Sequence, residues 1–209
     1  MPNVPLNFDK NIFINCPFDK DYIPLLKALL FTIMDCGLNP RIASERFDSG
    51  EERFKKIREL IKESRYSIHD LSRMEPLKSK DFPRFNMPFE LGLDLGGRYF
   101  GPEPLTRKRC LVLERERYRF QKVLSDVAGS DIREHNSDPE TLVRGVRNWI
   151  FGNVKKGIRS GTKIWQRYNE FLFSFESSVK RMGFTKKDID EMPVVEFIYF
   201  IKSWIEQNP

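Results

Sequence analysis

Short apolar runs alternate with longer stripes of three- and four-residue spacing along the first three-quarters of the chain. Residues 11–18 (NIFINCPF) carry three consecutive large apolar side chains and end at a proline and a phenylalanine, which predicts a strand covered on both faces that stops abruptly. Over 20–37, Tyr22, Leu25, Leu26, Leu29, Ile33 and Cys36 mark one helical stripe, and Gly37 is placed to end it. Residues 40–44 predict a short strand. Phe54, Ile57, Leu60 and Ile61 then line one face of a helix that begins near Gly50. Two further buried strands follow at 66–71 and 109–113, the first of them succeeded by a loop rich in Lys, Pro and Asp at 74–84. Strands separated by helices require crossover connections, and these give a parallel sheet with helices on both faces.

Residues 85–96 are ambiguous, because Met87, Phe89, Leu91, Leu93 and Leu95 alternate as a strand would. A crossover is needed at this point, Pro88 suits the first turn of a helix, and Gly92 with Gly96 would allow close packing on the sheet, so helix is the reading adopted. A basic helical stretch at 118–127 leads to a short edge strand at 131–135. A helix then starts around Asp138 and Pro139 and buries Leu142, Val146, Trp149 and Ile150. The glycine-rich, basic segment 152–161 reads as a linker. Beyond it, Ile164, Tyr168, Phe171, Phe175 and Val179 form one apolar stripe and Val195, Ile198, Ile201 and Ile205 another, each in need of a partner surface on this chain or on a second copy.

Composition narrows this picture. With 209 residues, 40% hydrophobic and 18 phenylalanines, the chain can bury one sizeable core and carry an extension. The expectation is an α/β domain over 1–155 and a C-terminal helical extension over 156–209. No run approaches a membrane span and the N-terminus shows no signal core, so a cytoplasmic protein is expected. Cys16, Cys36 and Cys110 read as buried reduced thiols, and two histidines do not make a zinc site; neither a metal nor a resident cofactor is expected. The net charge of +6 is spread among 30 acidic residues, which favours solvated faces over a nucleic-acid track.

In an open parallel sheet the ligand crevice lies beyond the carboxyl ends of the strands. The residues there are Asn15, Cys16 and Phe18 after the first strand, Arg46 after the second, Asp70 and Ser72 after the third, and Asn86 with Glu90 at the next helix start. Arginine pairs with phosphate, a phenylalanine stacks on a base, and a carboxylate beside an anomeric carbon stabilises, or attacks, an oxocarbenium-like centre. No dinucleotide or Walker-type glycine loop and no Gly-x-Ser-x-Gly elbow occurs.

The series Gly50, Ile57, Ile61, Ser64-Arg65, Ile68, Leu71-Ser72, followed by Phe89-Glu90-Leu91, resembles the TIR-domain pattern. Asn15-Cys16-Pro17-Phe18 and Phe89-Glu90-Leu91-Gly92 also resemble the turn and helix start of nucleoside 2-deoxyribosyltransferases. The resemblance covers roughly residues 11 to 114. It implies a flavodoxin-like three-layer sheet of four or five parallel strands and cleavage of the bond between sugar and base in NAD⁺ or a related nucleotide or nucleoside. It also implies Glu90 as catalytic carboxylate, a homo-oligomer, and a setting such as bacterial antiphage defence. Asn86-Met87-Pro88-Phe89 stands where TIR domains usually place a Trp-Cys pair. Non-catalytic TIR-like nucleotide sensing or oligomerisation is therefore the alternative.

Overall fold

A computed structural model of the protein describes residues 4–46, 48–73, 85–116 and 132–209. In chain order the elements are β1 (Asn11–Asn15), α1 (Ile23–Asp35), β2 (Asn39–Ile42), α2 (Arg53–Lys62), β3 (Tyr66–Asp70) and α3 (Asn86–Phe100). They continue with β4 (Arg109–Glu114), β5 (Arg133–Glu134), α4 (Pro139–Asn153), α5 (Gly161–Arg181), α6 (Lys186–Asp190) and α7 (Val194–Gln207). The strands pair in the order β2-β1-β3-β4-β5, every pair parallel, which is the flavodoxin-like arrangement. The predicted loop at 74–84 and helical stretch at 118–127 lie outside the described residues.

Alternation along β1 sorts the layers. Ile12 and Ile14 point into the larger core with Leu26, Leu29 and Ile33 of α1 and Val143 and Val146 of α4, whereas Phe13 meets Ile57, Leu60 and Ile61 of α2 on the other face. A third cluster, Leu71, Met87, Leu91 and Val112, seats α3 on the sheet. Gly37, at φ +78°, ends α1 with paired bonds from its own N–H to Met34 O (2.8 Å) and from Leu38 N–H to Ile33 O (3.1 Å), a conformation that a side chain would strain.

Several boundaries differ from the sequence reading. The strand predicted over 11–18 ends at Asn15, because Pro17 cannot extend the ladder. Segment 85–96 is helical, but Gly92 and Gly96 face open space, so they are not what lets α3 approach the sheet; Met87 and Leu91 make that contact. The segment read as a linker begins inside α4, whose Gly152 is helical. In the last helix the buried positions are Phe197 and Ile201, with Trp204 beside them; Val195 is not in this cluster.

The C-terminal helices rest on α1. Phe31 stacks on Phe171 of α5 with centroids 5.4 Å apart and meets Trp204 of α7 at 5.7 Å. Arg167 of α5 adds a polar lock: its Nε donates to buried Asp35 Oδ1 (2.9 Å) and its Nη2 to the Asn208 carbonyl (2.6 Å), while Arg159 stands 3.7 Å from the same carboxylate. Arg167→Leu removes both charge-assisted bonds but leaves Arg159 near Asp35, so urea titration is expected to show a loss of about 2 kcal/mol. An unchanged midpoint would place α5 elsewhere in solution. Among the described residues, no helix is long and apolar enough to cross a membrane.

Candidate functional site

β1 is flanked by β2 on one side and β3 on the other, so the chain direction across the sheet reverses between β1 and β3. The crevice at such a reversal is where open α/β sheets hold ligands. Asn15, the last residue of β1, lies level with His69 of β3 and donates from Nδ2 to the Met87 carbonyl in the first turn of α3 (2.9 Å). That bond fixes the start of α3 over the crevice. One turn further on, Glu90 is 5% exposed, although it sits at the rim of the sheet.

Burial pushes the Glu90 carboxyl up to about 7; the positive charge of Arg53 and the Asn86 amide both oppose the shift. Arg53, the first residue of α2, brings Nη2 to 3.8 Å from Glu90 Oε1 and is itself two-thirds exposed. Beside it, Phe54 and Phe89 place their rings 6.1 Å apart. Arg53 also lines an open cleft of about 530 Å³ together with Phe18, Ser44, Arg46 and Lys56. In this cleft Arg46 is held by Glu51 (2.8 Å) and Glu63 (3.3 Å), and Lys56 donates to the Arg46 carbonyl (2.8 Å). A largely exposed cation beside a protonatable carboxyl, with phenylalanine rings at hand, forms the chemically open part of the rim.

Cys16 lies beneath it. Burial pushes the thiol well up, and the carboxylates of Asp70, Glu90 and Asp19 push the same way, so it stays protonated. Asp70 and Ser72 belong to a closed network. Tyr22 donates to Asp70 Oδ2 (2.5 Å), Ser72 donates from its backbone N–H (2.9 Å) and its hydroxyl (2.5 Å) to Oδ1, and His135 Nε2 lies 3.1 Å from Oδ2. The Ser137 N–H donates to His135 Nδ1 (3.1 Å), which leaves Nε2 as the proton-bearing nitrogen toward Asp70. Burial works against the Asp70 carboxylate, but these bonds outweigh it and hold the carboxyl below its ordinary value. This network joins β3 to the β5–α4 connection, and both oxygens of the Asp70 carboxylate are already engaged within it.

A second buried network underlies α3. Asp94, one turn after Glu90 on the same helix, takes a bond from Ser67 Oγ (2.5 Å) and lies 3.2 Å from His69 Nε2. Lys108 Nζ approaches Asp94 Oδ1 at 2.9 Å out of hydrogen-bond alignment, as a charge pair, and donates to the carbonyls of Ile61 and Ser64. His69 Nδ1 in turn contacts Asn15 Nδ2 (3.1 Å). Burial raises the Asp94 carboxyl, but His69, Lys108 and Ser67 overcome it and bring it down to about 2.

The structure thus brings Asn15, Cys16, Asn86 and Glu90 together at the crevice and puts Phe18 and Arg46 on the adjoining cleft. It sets Asp70 and Ser72 in their own network. Sequence reasoning missed Arg53, Phe54, Lys108 and His135. The i, i+4 spacing of Glu90 and Asp94 was a readable sign that one face of α3 is polar and buried; nothing local marks His135, 65 positions from Asp70. Among the described residues, no group of three or more His, Cys, Asp or Glu side chains is placed to hold a metal ion. No protein-family model matches this chain, and no curated protein matches it.

Proposed function

We propose that this protein cleaves the N-glycosidic bond of a nucleotide or nucleoside, NAD⁺ among them, with Glu90 as the catalytic carboxylate. The observation that carries the reading is Glu90 itself, a nearly buried carboxyl at the sheet's reversal point with a half-free arginine 3.8 Å away. In such a reaction positive charge develops on the sugar as the bond to the base lengthens. An ionised carboxylate stabilises that charge or adds to the anomeric carbon, and water completes hydrolysis by replacing the base. Nicotinamide leaves NAD⁺ as a neutral base and needs no proton. Arg53 is suited to the substrate's phosphate, and Phe18 or the Phe54–Phe89 pair to its ring.

Incubation of the purified chain with NAD⁺ and with nucleosides is expected to release free base. Saturable binding without base at any pH would leave a nucleotide-sensing module instead. Because Glu90 acts ionised and titrates near 7, activity should climb through neutral pH. In Arg53→Ala the cation that favours the ionised form is gone, so the midpoint of this climb moves to higher pH; a midpoint that stays put would remove Arg53 from the site.

A further inference from the structure

The end of the sheet opposite Glu90 carries a second concave site. β3 and β4 begin side by side there, Tyr66 level with Arg109, and α3 reaches the same end with Arg98 in its last turn. A cleft of about 400 Å³ is lined by Arg65, Arg98, Arg107, Lys108 and Arg109, with Thr106 and Asn153 on its walls and no carboxylate among the described residues of the lining.

The charges in this cleft are incompletely matched. Lys108 is buried and committed to Asp94. Arg65 pairs with Asp9 through Nη1 (2.7 Å), yet its Nε is buried without a hydrogen-bond partner. Arg107 reaches exposed Glu103 at 3.5 Å. Among the described residues, the Arg109 side chain donates to the neutral Asn153 amide (3.3 Å), and Arg98 lies against the Tyr99 ring with no carboxylate partner. Among the described residues, four arginines therefore face two carboxylates, both outside the lining. The partial negative charge at the C-terminus of α3, about half an elementary charge, offsets only part of the excess.

We propose that this cleft binds a compact polyphosphate anion. Guanidinium groups offer paired N–H donors that match phosphate oxygens, and several of them around one concavity suit adjacent phosphates better than a single one. A volume of about 400 Å³ takes a short phosphate chain and leaves no room for a duplex groove. The ligand is either an inorganic chain or the phosphate tail of a nucleotide. Glu90 lies eight residues before Arg98, about 12 Å along the helix axis. The site is thus separate from the crevice and does not depend on what Glu90 does.

Calorimetric titration of the full chain with sodium triphosphate at about 0.15 M ionic strength tests this. Expected is saturation at one site per chain, and at least about tenfold weaker binding in Arg98→Ala/Arg109→Ala, as the loss of charge-assisted bonds requires. Orthophosphate should bind more weakly than triphosphate. The control Lys186→Ala/Lys187→Ala, which removes an equal charge elsewhere, should bind as the parent does. ATP binding as tightly as triphosphate identifies the chain alone as the ligand, and tighter ATP binding identifies a nucleotide. Triphosphate should raise the melting temperature of the parent and not of the arginine variant. Absence of saturation, equal loss in the lysine control, or binding of single-stranded oligonucleotide that triphosphate does not displace would overturn the proposal.

Discussion

Glu90→Gln is expected to lower base release by at least about 100-fold and, at the same time, to make the protein more stable above neutral pH. The two effects have one origin. A carboxyl whose value rises from 4.5 to about 7 on folding carries a penalty for ionisation in the folded state; at 1.36 kcal/mol per unit this is about 3 kcal/mol. Below pH 4.5 the group is protonated folded or unfolded, and the penalty is absent. Between 4.5 and 7 the unfolded chain releases the proton while the folded chain keeps it, so stability falls as pH rises. Above 7 the full cost stands. Glutamine is neutral throughout, so the variant's advantage should be near zero at pH 4, grow across this window and level off beyond it. Denaturant titrations of both proteins at pH 4, 6 and 8 measure the difference. Parallel pH dependences would mean that Glu90 is solvated, and base release unchanged in the variant would remove it from catalysis.

The apolar code of the sheet was legible because β1 and β4 carry the buried runs Ile12 to Ile14 and Leu111 to Leu113, whereas buried β3 alternates apolar Tyr66 and Ile68 with polar Ser67 and His69. The alternation in 85–96 misleads for a physical reason. Met87, Leu91 and Leu95 share one cluster at four-residue spacing, Leu93 turns to the cluster around Phe13, and Phe89 is exposed beside Phe54. A helix wedged between two apolar neighbours can thus mimic a strand in period. Glu90 was legible from its place after β3. Its environment was not, since Arg53 comes from another crossover and burial depends on how α2 and α3 meet. Asp70 was expected at the rim, and only the long-range approach of Tyr22 and His135 shows why it is occupied.

Lys108→Met is expected to cost about 3–5 kcal/mol at pH 7, because it strands the Asp94 carboxylate inside the protein without its cation. The variant keeps the side chain's length and apolar stem, so the loss reports charge rather than volume. It also deprives the Ile61 and Ser64 carbonyls, at the end of α2, of their donor. The pH dependence identifies the cause. In the parent the Asp94 carboxyl sits near 2 rather than 3.8, and the stability this brings is present above 3.8 and lost as pH falls toward 2. Without Lys108 its main cation is gone, so the carboxyl rises and takes up a proton at higher pH. The deficit of the variant should therefore be largest near neutrality and shrink in acid. Adding Asp94→Asn removes the stranded charge while retaining polar contacts for His69 and Ser67, and should recover more than about 1 kcal/mol. The same variants bear on the crevice, because Asp94 holds His69, His69 meets Asn15, and Asn15 holds the first turn of α3. If this chain positions Glu90, Lys108→Met should move the Glu90 titration in a carboxyl-labelled NMR spectrum under conditions where the variant is fully folded. A deficit that is flat with pH, with no recovery in the double variant, would mean that packing at Lys108 matters and its charge does not.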